Sequence, residues 1–276
     1  MSAPKSFETI RPAAWWVIAL FFAAHLALNA LFNSSGAINN LFADIWQGTN
    51  GLIGGTLLAN GIMIVVLIGG VILGLGRLRL SDLGVIWRKL PAALGLTLLI
   101  WAITQVVLIL IETGSGDPIQ PHRAWSTPGA LAVIGSLLGQ LLGNALFEEL
   151  GYRGFVLPQL YLRLKAIPAP LVRVIAALLL SGLLFGMIHL PTRLVNDGMD
   201  FDGFLGTLPN YLMLGTFFAL FYLRSGAIFW AVGVHALGNV SAPLVATSTD
   251  PSLIVSLVAF VVLLVSLLPP IRKRFG

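Results

Sequence analysis

Hydrophobic positions in this chain fall into long unbroken runs rather than into the short periodic stripes of a soluble protein. The runs cover about 13–32, 52–76, 92–111, 128–150, 171–190, 203–223, 227–246 and 252–268. Most approach the roughly 20 residues that an α-helix needs to cross the hydrocarbon core of a bilayer. The pattern predicts an all-α, polytopic membrane protein with about eight transmembrane helices. The connecting segments are too short for a soluble domain, so residues 1–276 read as a single integral membrane domain. The first run follows Lys5 and Arg11 and is long enough to stay in the bilayer, which predicts a retained anchor rather than a cleaved leader.

Composition agrees with this reading, with 57% hydrophobic residues, 10% charged residues and a mean hydropathy of +0.93. The basic residues then orient the spans, because short cytoplasmic loops collect Lys and Arg. With the N-terminus inside, Lys5, Arg11, Arg77, Arg79, Arg88, Lys89, Arg153, Arg163, Lys165, Arg173, Arg224, Arg272, Lys273 and Arg274 fall on the cytoplasmic side, and only Arg123 and Arg193 fall outside. Asp44, Glu112, Asp117, Asp197, Asp200, Asp202 and Asp250 lie on the outer side. Both termini are therefore expected in the cytoplasm, with the chain crossing the cell membrane many times. The net charge of +5 reflects this orientation; no basic patch with interleaved aromatics points to nucleic acid. The absence of cysteine excludes disulfides, thiolate zinc sites and a Cys nucleophile. In the second span, Gly54, Gly55, Gly61, Gly69, Gly70, Gly74 and Gly76 predict close helix packing, Gly70 and Gly74 being at GxxxG spacing.

Against this background the fourth run carries polar residues at fixed spacing. Ser136, Gln140, Asn144, Glu148 and Tyr152 recur every four residues and form one slowly drifting stripe that must face protein or water. Glu149 lies four residues before Arg153, the favourable order for an ion pair on one helix face, and is turned away from Glu148. Glu148 is left without a local cation. A carboxylate so placed either protonates or acts as a base toward something in a cavity. His189 follows Phe185 by four residues near the end of the fifth span, and His235 and Asn239 share a face of the seventh. Counting inward from the basic residues at 1.5 Å per residue puts His189 about 24 Å and Asn239 about 22 Å deep. Glu148 matches that depth if its helix continues to about Arg163, whereas Pro158, with Gly151 and Gly154, is expected to kink or end it.

The segments EELGYR at 148 to 153, FGMIH at 185 to 189 and HALGN at 235 to 239 resemble the EExxxR, FxxxH and HxxxN motifs of the CPBP family. That family, also called Abi, comprises CAAX-processing endopeptidases and bacteriocin-processing and self-immunity proteins. The resemblance covers about 130–245. It implies an intramembrane endopeptidase in which Glu148 activates the attacking water, His189 helps to hold and deprotonate it, and His235 and Asn239 stabilise the oxyanion, with Glu149 and Arg153 supporting the site. The family label is metalloprotease. Glu148, His189 and His235 supply the donors of a His₂Glu zinc site, but the chain has no HExxH, and the same residues also fit a metal-free, glutamate-activated water. Both routes stay open at this point.

The implied partners are the lipid bilayer and a peptide or protein substrate, lipidated or membrane-bound. Two other classes compete. A non-catalytic scaffold or bacteriocin self-immunity protein would use the same fold without turnover. A proton-coupled transporter would use Glu148 and His189 as a relay, but predicts repeat symmetry and paired broken helices that the sequence lacks. The acidic segment Asn196 to Asp202 reads as a solvated loop.

Overall fold

The structure is a computed structural model that describes residue 7 and residues 9–116, 118–126 and 129–268. Lys5, Asp117, Arg272, Lys273 and Arg274 of the charge pattern lie outside the described residues. Six helices are long and apolar enough to cross a membrane: α1 (Trp15–Ser34), α3 (Gly55–Leu75), α4 (Leu90–Ser115, preceded by a 3₁₀ turn from Trp87), α5 (Gly129–Arg163), α6 (Pro170–Met187, continuing through α7, Leu190–Val195) and α8 (Phe201–Ser225). Two shorter apolar helices follow, α9 (Ile228–Asn239) and α10 (Pro251–Ser266). With them the expected eight apolar helices are present, in an all-α integral membrane protein. The helix α2 (Gly36–Gly48), which the hydrophobic runs do not announce, has no buried residue.

Several helix starts are legible locally. Pro91, Pro170 and Pro251 occupy the first turns of α4, α6 and α10, where the missing N–H loses no intrahelical bond. Ser35 accepts from the Ile38 N–H at the start of α2, and Asp250 accepts from the Ser252 N–H at the start of α10.

Three expectations change. Pro158 does not end its helix, because α5 runs on to Arg163. The turns over Glu149–Val156, just before Pro158, are π-type, and a wider turn frees backbone positions that a proline would otherwise disrupt. The seventh apolar run, expected to be helical over 227–246, stops at Asn239. Residues 240–249 instead run in extended and turn conformations, with Ala242 at φ +45°. Non-helical backbone at membrane depth needs protein partners, and this segment has them. Trp101 donates to the Ala242 carbonyl and Trp125 to that of Pro243, the Gln105 side chain accepts from the Leu244 N–H, and the 120–122 strand-like segment pairs with 244–246. Finally, Gly69, Gly70 and Gly74 are exposed on the outer face of α3, and a Cβ on Gly70 would meet only the backbone of its own helix. The GxxxG stripe therefore packs on nothing within the described chain. Gly139 and Gly143 on α5, not α3's own glycines, bring those two helices together: a Cβ on Gly143 would lie 3.2 Å from Leu57 Cα.

Polar contacts gather at the two ends of the bundle. At one end Arg11 pairs with Asp82 at 3.1 Å, Gln159 clamps the backbone of Arg11 and Ala13, Lys89 donates to the Ser225 carbonyl, and Arg224 binds Ser266. At the other, Asn33 bridges Thr192 and Asn196. Arg153 is the exception. Counted among the cytoplasmic residues from sequence, it is 2% exposed in the interior.

Candidate active site

Five helices converge on a cavity of about 190 Å³. Its walls include Asn144 and Glu148 from α5, Phe185 and His189 from the end of α6, Tyr211, Leu214 and Phe218 from α8, His235 and Asn239 from α9, and Ser252 and Ser256 from α10. The convergence follows from small residues at the crossings. A Cβ on Gly215 of α8 would sit 3.4 Å from Gly182 Cα of α6, one on Gly151 would strike the Phe21 ring, and one on Gly154 would lie 2.6 Å from the Leu83 carbonyl oxygen. These contacts set α5 against its neighbours at the level where the charged residues lie.

Glu148 ends a short α-helical stretch, Ala145–Glu148, set between the two π-type segments Gly139–Asn144 and Glu149–Val156. Such widened turns recur at functional sites because they re-aim side chains without breaking the helix. Here Glu148 and Glu149 are both buried and diverge. Glu148 points into the cavity with two imidazoles facing it: His235 Nε2 is 3.5 Å from one carboxylate oxygen and His189 Nε2 is 3.9 Å from the other.

The other nitrogen of each ring is anchored. His189 Nδ1 lies 2.9 Å from the Phe185 carbonyl, so it donates there and turns Nε2 toward Glu148. His235 Nδ1 donates to Glu149 at 2.8 Å, which aims its Nε2 at Glu148 as well. Both rings are also held flat, His189 stacked on Tyr211 at 4.2 Å and His235 on Phe218 at 4.3 Å between centroids. Tyr211 is held in turn by a 2.7 Å hydrogen bond from Arg193.

Glu149 forms the ion pair with Arg153 that the spacing predicts, at 3.0 Å. Arg153 also donates to the Gly215 carbonyl, and its guanidinium lies 4.2 Å from the centre of the Phe185 ring. The conjunction of Phe185, His189, Glu149 and Arg153 is thus one connected unit.

Of the six residues singled out from sequence, Glu148, His189, His235 and Asn239 line this cavity, while Glu149 and Arg153 lie behind its wall, joined to it through His235. Tyr152 does not line it. The π-type turns rotate it off the stripe and into the wall against α1, where its hydroxyl lies 3.0 Å from His25 Nδ1. Gln140 stays on the stripe, and its side-chain oxygen accepts from Asn239 at 2.9 Å and from Asn144 at 3.3 Å.

Sequence reasoning missed the tie between Glu149 and His235, which joins helices 86 residues apart. It also missed Tyr211 and Phe218, although their seven-residue spacing places both aromatic rings on one helical face. Among the described residues no group of three or more His, Asp and Glu side chains is arranged so that it could hold a metal ion. Glu148, His189 and His235 nonetheless supply donor types that a zinc ion takes.

Residues 130–241 match the family model described as Type II CAAX prenyl endopeptidase Rce1-like. No curated protein matches the chain.

Proposed function

With residues 130–241 forming a domain of the Rce1-like type II CAAX prenyl endopeptidase family, we propose that this integral membrane protein hydrolyses a peptide bond in the cavity around Glu148, using a water held by the carboxylate and the two imidazoles. The observation that carries this reading is the facing of both imidazole Nε2 atoms toward one buried carboxylate, at 3.5 and 3.9 Å. Those gaps are too long for direct hydrogen bonds, and spacing of this kind suits a bridging water.

In the proposed reaction Glu148 takes a proton from the water while His189 Nε2 accepts a hydrogen bond from its other O–H. The hydroxide oxygen attacks the carbonyl carbon of the scissile bond. Asn239, whose amide is tethered to Gln140 through one N–H, offers the other to the oxyanion, and His235, acting as an imidazolium whose Nδ1–H is held by Glu149, donates from Nε2 to the same oxygen. As the C–N bond breaks, the proton held by Glu148 passes to the leaving amine. Glu149 and Arg153 touch no substrate in this scheme; they position His235 and the Phe185 wall. No step requires a metal.

The substrate class follows from the walls. Phe185, Leu214, Phe217, Phe218 and Val255 form an apolar lining beside a few polar groups, and this suits an extended peptide anchored in the bilayer or lipidated near its C-terminus. The proposed topology keeps both termini in the cytoplasm.

Glu148→Gln tests the reading in a cleavage assay with purified protein and membrane-anchored peptides. Turnover should fall by about 10³-fold or more, since the general base is removed. Retained turnover overturns the protease reading and favours a non-catalytic role for the same fold. Chelation followed by metal analysis tests the chemistry separately: full activity in metal-free protein is expected, and loss restored by stoichiometric zinc would contradict it.

A further inference from the structure

The polar stripe of α5 continues past the residues that the proposed reaction uses. Gln140 and Ser136, one and two turns beyond Asn144, line a second cavity of about 260 Å³ together with Trp46, Thr56, Gly139 and Val240. This cavity lies at the start of α3, where the 49–54 loop meets the second turn of α5, and so at the opposite end of the bundle from Arg11, Arg163 and Arg224. The two cavities meet at one hydrogen-bonded pair. Gln140 lines the second, Asn239 lines the first, and a 2.9 Å hydrogen bond joins them.

We infer that the second cavity is an aqueous vestibule that supplies water to Glu148, with the Gln140–Asn239 hydrogen bond as its inner gate. Hydrolysis inside a bilayer consumes a water at each turnover, and that water must reach a cavity whose walls set Phe, Leu and Val beside its polar side chains. The vestibule has room for several waters and offers them the Ser136 and Thr56 hydroxyls and the Gln140 amide. From Gln140 to Glu148 is about 12 Å along the helix, with the Asn144 amide midway. Water moving along that line passes one polar group per turn. Polar side chains at this depth are unfavourable in a dry apolar setting, so their continuation beyond the catalytic residues is accounted for by a wet track.

This inference rests on the proposed hydrolysis for its purpose but not for its main test. Because the chain contains no cysteine, single cysteines can be read without background. Ser136→Cys and, separately, Gln140→Cys would be reconstituted in vesicles and exposed to a charged, membrane-impermeant methanethiosulfonate. Reaction requires the thiolate and hence water. The controls are Asn40→Cys, exposed on α2, and Leu98→Cys, 64% exposed on the apolar face of α4.

Ser136→Cys should label within about tenfold of the Asn40→Cys rate, and Leu98→Cys should not label. The second variant covers the case in which Ser136→Cys does not fold. If both test positions stay as unreactive as Leu98→Cys, or react only with an uncharged apolar maleimide, the cavity holds lipid and the inference is overturned. A second arm reads the gate: Gln140→Leu should lower kcat by about tenfold with KM unchanged, while Ser136→Cys in that background still labels. Absence of turnover in the unaltered protein would sink the protease reading, yet leave the labelling result to decide the vestibule.

Discussion

A single carboxylate oxygen, Glu149 Oε1, lies 3.0 Å from an Arg153 nitrogen and 2.8 Å from His235 Nδ1. It therefore neutralises a guanidinium that is 2% exposed and fixes the orientation of a histidine on another helix. Glu148, beside it in sequence, faces the cavity and the two imidazoles instead. The two residues should fail differently. Glu149→Gln leaves the buried Arg153 short of its counter-ion, and breaking a buried pair typically costs about 3–5 kcal/mol. Equilibrium unfolding of purified protein in detergent should register that loss, together with lowered activity. Glu148→Gln should unfold within about 1 kcal/mol of the unaltered protein, since no ion pair to a fixed cation is lost. Equal destabilisation by both would contradict this division of labour.

At the scale of elements, α5 shows how backbone irregularity serves the site. Its π-type turns over Gly139–Asn144 and Glu149–Val156 bracket Glu148, and its glycines let neighbours approach. Gly154→Val should destabilise by about 1–3 kcal/mol, because the first added carbon already lies 2.6 Å from the Leu83 carbonyl oxygen and the backbone there cannot yield freely. A thermal scan in detergent would check it. The start of α10 makes a pH-dependent prediction. Hydrogen bonds from the Ser252 hydroxyl and N–H hold the Asp250 carboxyl below its ordinary range. A carboxyl lowered on folding contributes stability above its unfolded value, and that contribution is lost as pH falls through the folded value. Asp250→Ala should therefore cost about 1 kcal/mol near neutrality, as loss of a helix cap does, and the difference from the unaltered protein should vanish at strongly acidic pH. A difference that persisted there would count against the cap.

Across the whole molecule, the 240–249 segment joins parts that are distant in sequence. Leu244 donates its N–H to the Gln105 side chain and accepts from the His122 N–H, and Glu112 accepts from the Ser248 N–H. The segment lies directly after Asn239, so its anchorage sets where α9 stops and where the Asn239 amide sits. Gln105→Leu would leave the half-buried Leu244 N–H without its acceptor, at about 0.5–1.5 kcal/mol for one lost hydrogen bond. Hydrogen exchange should rise across 240–249 while the α5–α6 contacts stay protected.

The apolar runs by themselves determined the class, because membrane insertion demands long uninterrupted hydrophobic helices whose length is written locally. The spacing of Glu149 and Arg153 likewise determined their ion pair, since neighbours on one helix meet without help from the rest of the fold. Glu148, His189, His235 and Asn239 could be picked out because polar side chains are scarce in such runs. Their mutual arrangement was not legible: the bond from His235 to Glu149, the rotation of Tyr152 toward His25, the continuation of α5 through Pro158 and the stop of α9 at Asn239 each depend on contacts between segments far apart in the chain. Helical periodicity carries information over a few turns, and π-type turns disturb even that. Only tertiary packing decided which nitrogen faces which oxygen, because the partner that fixes each ring lies on a different helix or on a backbone carbonyl whose direction the fold sets.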